Sequence, residues 1–205
     1  LSLTLKGKYK SGFAASNPER LKKAASSKFH QAIVQHHHNH DHDENVAYLY
    51  KTLIDTQDSA AYLYQQSKIY TTKVKYPKSA IAKELKLIAE LIISGTNTEI
   101  YYANMAGFDT HINQKRQQER RLKEYSQAVA AFVKDLKQNE KLDDTLVMTF
   151  SEFGRRVKQN ASRGTDHGTA NNVYLIGGKL KKAGIYNEAP NLGDLDNGDL
   201  IYSID

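Results

Sequence analysis

Three short motifs set carboxylates and imidazoles beside glycines: Gly107-Phe-Asp-Thr-His111, Ser151-Glu-Phe-Gly-Arg155 and Gly164-Thr-Asp-His-Gly168. In an extended segment residues i and i+2 project to the same side, so Asp109 and His111 can both reach one ion across Thr110. A carboxylate oxygen with an imidazole nitrogen suits zinc, manganese or iron. The competing reading is structural: Asp109 caps the following helix and His111 makes a surface contact. Glu152 lies just past the strand-like run Thr145 to Phe150, where an unpaired buried carboxylate is costly. It therefore meets an ion, a donor or a cleft, or it closes its loop by pairing with Arg155 or Arg156.

His167 is the best single ligand candidate, because Gly164 and Gly168 allow tight backbone and close ligand approach around it. Asp166 either binds the same ion or holds an imidazole by accepting its other N–H. A turn built from Gly, Thr and Asp, carrying an exposed histidine, would explain the same residues. Arg155 can grip a tetrahedral oxyanion with its two-pronged guanidinium and stabilise charge as it develops, or form a surface ion pair. Ser151 and Thr165 lack the flanking pattern of a nucleophile elbow. The run from His36 to His42 holds five of the eight histidines. Its low complexity reads as a mobile loop between helices that picks up nickel or zinc adventitiously, against the alternative of a physiological site.

The elements that must position these residues follow from periodicity. Asn17-Pro18-Glu19 supplies a cap, a first-position proline and an acid for the first turn, and predicts a helix over about 18 to 35. A second stripe runs from Val46 to Tyr64. A third runs from Ile81 to Ile92 and stops at Gly95. Glu99 to Met105 is short, rich in β-formers and predicts a strand. Leu122, Tyr125, Val129, Phe132, Val133 and Leu136 mark a helix with a polar opposite face. Leu146 to Phe150, Val173 to Ile176 and Leu200 to Ile204 read as further strands. Such alternation predicts an α/β fold with a mostly parallel, helix-covered sheet, whose ligands gather at the strand ends. The organisation expected is a helical segment over 1–78 packed on an α/β core over 79–205, as one structural domain.

Composition narrows the classes. With 205 residues, 40% hydrophobic and 25% charged, the chain can bury a core, and no apolar run reaches the length of a membrane span. Without cysteine, thiolate metal sites, disulfides and a Cys nucleophile are excluded. The net charge of +6 is diffuse and no nucleic-acid module accompanies it, so a polyanion-binding role is disfavoured.

The ordered set Gly107 to His111, Ser151 to Arg155, Asn160, Gly164 to Gly168, and Gly177-Gly178 with Gly184 resembles the bacterial domain-of-unknown-function family 1501, with its specific motifs over about residues 77 to 205. That family is similar in turn to the alkaline phosphatase and sulfatase superfamily. The resemblance implies an alkaline phosphatase-like core, incomplete in this chain, with Asp109 and His111 as early ligands, Glu152 in a strand-end ligand position and His167 as a late ligand. Phe153 stands where the superfamily commonly has a histidine, which speaks against a complete second metal site. The superfamily's nucleophile and first metal-binding aspartate belong to an N-terminal segment not recognised here. The resemblance further implies a longer parent protein, often led by a twin-arginine export signal, and hence a periplasmic or otherwise exported location. Missing strands would leave an open edge prone to homodimerisation.

The reading expected from all this is a metal-dependent hydrolase of phosphate or sulfate esters. Asp109, His111, Glu152, Asp166 and His167 would surround a divalent metal: zinc first, then manganese, iron or calcium. Arg155 would bind the oxyanion of a small anionic ester. The alternative is an exported binding or scaffold module that keeps a metal for stability without turnover.

Overall fold

The computed structural model describes residues 17–35 and 44–201. The chain divides into two compact units: one takes the chain up to Thr72 together with Glu90–Ile100, the other Lys73–Ala89 together with Tyr101 onward. The division thus falls a few residues before position 78 and returns residues 90–100 to the first unit. The His36 to His42 run lies outside the described residues.

In the first unit, α1 (Pro18–Ala25) starts as expected: Asn17 Oδ1 accepts the backbone N–H of Arg20 at 2.9 Å and Pro18 occupies the first turn. The single helix expected over 18–35 is interrupted. The N–H of Ser26 turns back to the Lys22 carbonyl, and α2 (Lys28–Gln35) begins two residues later. Paired serines explain the break, since their hydroxyls compete with helical hydrogen bonds. Gln57, on α3 (Glu44–Ile69), donates its amide to the Ala25 carbonyl at 3.0 Å and closes the end of α1. α4 (Ala80–Ile93) ends where Gly95 was expected to end it: Gly95 has φ +80°, Thr96 N–H reaches the Leu91 carbonyl and Gly95 N–H that of Ile92. A left-handed residue in that place is what glycine supplies cheaply.

In the second unit, Ile81, Ala82, Leu85 and Ala89 are buried on α4, and Ala128, Val129, Ala131, Phe132 and Leu136 on α5 (Gln114–Gln138). Both sets recur every three to four residues and include Ile81, Leu85, Ala89, Val129, Phe132 and Leu136 of the expected stripes, whereas Leu122, expected on the α5 stripe, is 53% exposed. Leu136 is fully buried, a burial that contributes about 1.5–3 kcal/mol. Asp135 is buried beside it, with its carboxylate accepting the Tyr76 hydroxyl at 3.0 Å.

A 3-10 turn at Leu142–Asp144 leads into β1 (Val147–Thr149), which pairs antiparallel with β4 (Tyr174–Ile176). Tyr125 on α5 and Thr149 on β1 share a hydroxyl hydrogen bond of 2.8 Å. Between these strands, β2 (Gly154–Arg155) pairs antiparallel with β3 (His167–Gly168). β5 (Leu195–Asp196) and β6 (Asp199–Leu200) form a hairpin whose turn places Asn197 at φ +48° and Gly198 at φ +88°, the dihedral signs of the favoured two-residue turn.

The described pairings are all antiparallel, so the mostly parallel sheet expected from the alternation is not among them. Glu99 to Met105, read as a strand, carries no strand pairing. The terminal strand begins one residue early, at Asp199, and positions beyond Ile201 fall outside the described residues.

Candidate metal centre

All the motif residues belong to the second unit, in the loop before α5 and in the β2–β3 hairpin. β1 ends at Thr149, the chain turns through Ser151 to Phe153, and β2 pairs with β3 so that Arg155 stands opposite His167. Asn171 holds the turn by donating its amide to the Phe153 carbonyl at 3.0 Å. At the other side the Asn113 and Gln114 N–H groups donate to the carbonyls of Ser162 and Arg163, both at 3.0 Å. These bonds consume donors at the start of α5 and dock the 160–164 loop there.

Asp109 is therefore not a helix cap: the capping position of α5 is Asn113, with a left-handed φ of +47°. The carboxylate faces two imidazoles instead. His167 Nε2 lies 2.8 Å and His111 Nε2 3.0 Å from the same oxygen, Asp109 Oδ1. One ligand atom from each of the three residues fits within a 4.8 Å group, and it is the one such His/Asp/Glu group among the described residues. Zinc bonds of about 2.0–2.1 Å to nitrogen and oxygen place tetrahedral ligands about 3.3 Å apart. The two N···O separations need open by only a few tenths of an ångström to match.

Asp166 sits behind this group. Its Oδ1 faces His111 Nδ1 at 3.5 Å, the nitrogen turned away from Asp109, and accepts the Asn160 side-chain amide at 3.2 Å. Of the two roles open to Asp166, the geometry favours holding the imidazole. Hydrogen bonding from His167 first, with further help from His111, keeps the Asp109 carboxyl below its ordinary value against the opposing effect of desolvation. Asn160 first, then His111, does the same for Asp166. Asp109 is 64% exposed and His167 43%, so solvent reaches the group.

The other candidates lie differently. Glu152 is exposed and stands outside the three-residue group. No ion pair from it to Arg155 or Arg156 occurs among the described residues; Arg156 instead approaches Asp199 at 3.7 Å. The Arg155 guanidinium donates to two backbone carbonyls, Thr165 at 2.7 Å and Phe108 at 2.6 Å. One guanidinium thus ties the loop carrying Asp109 and His111 to the loop carrying Asp166 and His167, and two of its donors are spent doing so.

Residues outside the carboxylates and imidazoles hold the loops in place. Gln118 donates to the Phe108 carbonyl at 3.0 Å and to Thr110 Oγ1 at 2.9 Å, Gln117 donates to the Ile112 carbonyl at 2.8 Å, and Gln114 Oε1 accepts the Thr165 hydroxyl at 2.9 Å. Three glutamines in the first turns of one helix thus hold both ligand loops. Asn160 adds a second clamp, donating to the His111 carbonyl at 3.2 Å while its Oδ1 accepts the N–H groups of Ser162 and Gly164. Gly164 is buried so tightly that a β-carbon there would run into the His111 carbonyl. That contact explains why a glycine precedes Thr165 more directly than any freedom of φ does.

Two imidazoles and a carboxylate, with an outer carboxylate behind one imidazole, are the donor types of the two-histidine, one-carboxylate sites that zinc and iron favour. The chain belongs to the family described as protein of unknown function (DUF1501), whose model matches residues 15–202. The match takes in the helical stretch before residue 77 as well as the motif region. No curated protein and no solved structure was found to match the chain.

Proposed function

We propose that the protein is a metal-dependent hydrolase of phosphate or sulfate esters, and the observation that carries this is the gathering of one ligand atom each from Asp109, His111 and His167 within 4.8 Å of one another. The donor set argues for zinc, with iron or manganese next; calcium, which takes oxygen ligands, is disfavoured by two imidazoles. An ion held there supplies Lewis acidity toward a phosphoryl or sulfuryl oxygen and eases deprotonation of water. Asp166 supports His111 from behind, and the glutamine clamp fixes both loops before any ligand arrives, so little ordering is left to occur on binding. In this proposal Glu152, exposed and outside the three-residue group, is not a ligand, and Arg155 braces the loops. An oxyanion grip by Arg155 would have to use its remaining N–H groups.

The architecture assumed is an alkaline phosphatase-like α/β core with a mostly parallel sheet, in an exported protein, as the resemblance of the motifs implies. No described helix is long and apolar enough to cross a membrane. The two-stranded β1–β4 sheet, with exposed Leu146, Met148 and Val173 around it, supports an expectation of pairing with a second copy.

The test is hydrolysis of an aryl phosphate and an aryl sulfate by protein purified without nickel. Activity that chelation removes, zinc restores and His167→Ala abolishes supports the reading. Tight metal binding with no turnover of either ester favours the second reading, a metal-stabilised binding or scaffold module, whose supporting observation is the absence of a nucleophile elbow at Ser151 or Thr165.

A further inference from the structure

His167 stands on a strand of two residues and is 43% exposed, so its own backbone does little to fix the plane of its ring. A second aromatic does. The rings of Phe153 and His167 are stacked, with centroids 3.9 Å apart and planes within 10°. His111 meets the same imidazole at 4.9 Å, tilted by 32°, a contact that leaves the ring plane less determined. Phe153 is itself held: Asn171 grips its carbonyl, and the Arg155 guanidinium carbon lies 5.0 Å from its ring centre. Rotation of the imidazole about its side-chain torsions would swing Nε2 off the Asp109 oxygen and would have to break the stack.

We propose that Phe153 is a positioning residue of the metal centre, holding the His167 imidazole by ring stacking so that Nε2 stays aimed at the point shared with Asp109 and His111. The inference rests on the metal-centre reading above. A phenyl ring offers no donor, so it orients the imidazole without adding a ligand or a proton of its own. An aromatic stack of this kind shifts an equilibrium about 2- to 12-fold beyond what its buried area contributes.

The test titrates the whole chain with zinc alone, in a background where His36, His37, His38, His40 and His42 are replaced by glutamine so that the histidine run contributes nothing. Phe153→Met keeps apolar bulk without a ring and is expected to weaken zinc binding about 2- to 12-fold; Phe153→Tyr keeps the ring and restores affinity. In the metal-free chain the His167 ring protons should show upfield ring-current shifts with Phe or Tyr at position 153, lost with Met. Phe153→Leu, checked for an intact amide spectrum, serves if the Met variant does not fold. Zinc binding as tight in the ringless variants as in the parent overturns this inference and leaves the metal centre standing. No zinc binding by the parent overturns both.

Discussion

His167 Nε2 and Asp109 Oδ1 meet at 2.8 Å although 58 positions separate the two residues in sequence. The bond joins the loop before α5 to the strand β3, and it is the largest cause of the depressed Asp109 carboxyl. A carboxylate whose folded value lies below its unfolded one stabilises the fold above the unfolded value and loses that contribution as pH falls through the folded one. The ordinary value is 3.8, so the loss falls below that pH. Carboxyl-carbon NMR titration should give Asp109 a midpoint below 3.8, moving back up in His167→Ala. An unchanged midpoint in that variant would remove the hydrogen bond from the account.

Asn160 holds the 160–164 turn, the His111 carbonyl and the Asp166 carboxylate at once. Asn160→Ala should cost about 1–3 kcal/mol in denaturant unfolding, because the part-buried Gly164 N–H loses its acceptor. It should also raise the Asp166 midpoint, since Asn160 is the first cause of its depression. Stability within 0.5 kcal/mol of the parent, roughly the scatter of neutral surface changes, would contradict this.

The close approach of Gly164 to the His111 backbone leaves no room for a side chain. Gly164→Ala should force the two loops apart, costing about 1–3 kcal/mol as an overpacked site does. Its zinc affinity should fall with it, read by the same titration. Gly193→Ala, at a position where a β-carbon meets only the Asn191 side chain, should lack both effects.

The long helices were legible because their apolar residues recur with helical spacing: the stripes ending at Ile92 and Leu136 correspond to α4 and α5. The break at Ser26-Ser27 was missed because the stripe from Leu21 to Ile33 continues across it, and periodicity does not register a local competitor for backbone bonds. Glu99 to Met105 has the composition of a strand, but composition names no pairing partner. The closeness of Asp109 and His111 follows from their i, i+2 spacing, whereas the glycines around His167 do not name Asp109 as its neighbour. The glutamines were not: Gln114, Gln117 and Gln118 read as a solvated polar face, and only the folded loops give their amides something to hold. Arg155 was noticed for its charge, whereas its described hydrogen bonds go to carbonyls.

Gln118 shows how such support can be tested. Its amide serves Phe108 and Thr110 together, so Gln118→Glu, which removes the amide donor while keeping the shape, should loosen the Asp109 loop. Zinc affinity should drop about 10–100-fold, as for other outer supports of a metal ligand, while the thermal midpoint moves little. A large thermal shift with unchanged affinity would assign Gln118 to the fold and not to the centre.

The most direct test is a zinc-binding isotherm, confirmed by elemental analysis, on the chain whose five histidines between positions 36 and 42 have been replaced by glutamine. The account predicts one ion per chain, lost in each of Asp109→Asn, His111→Ala and His167→Ala and retained in Glu152→Gln. Absence of binding, or binding that survives all three of those substitutions, would contradict it.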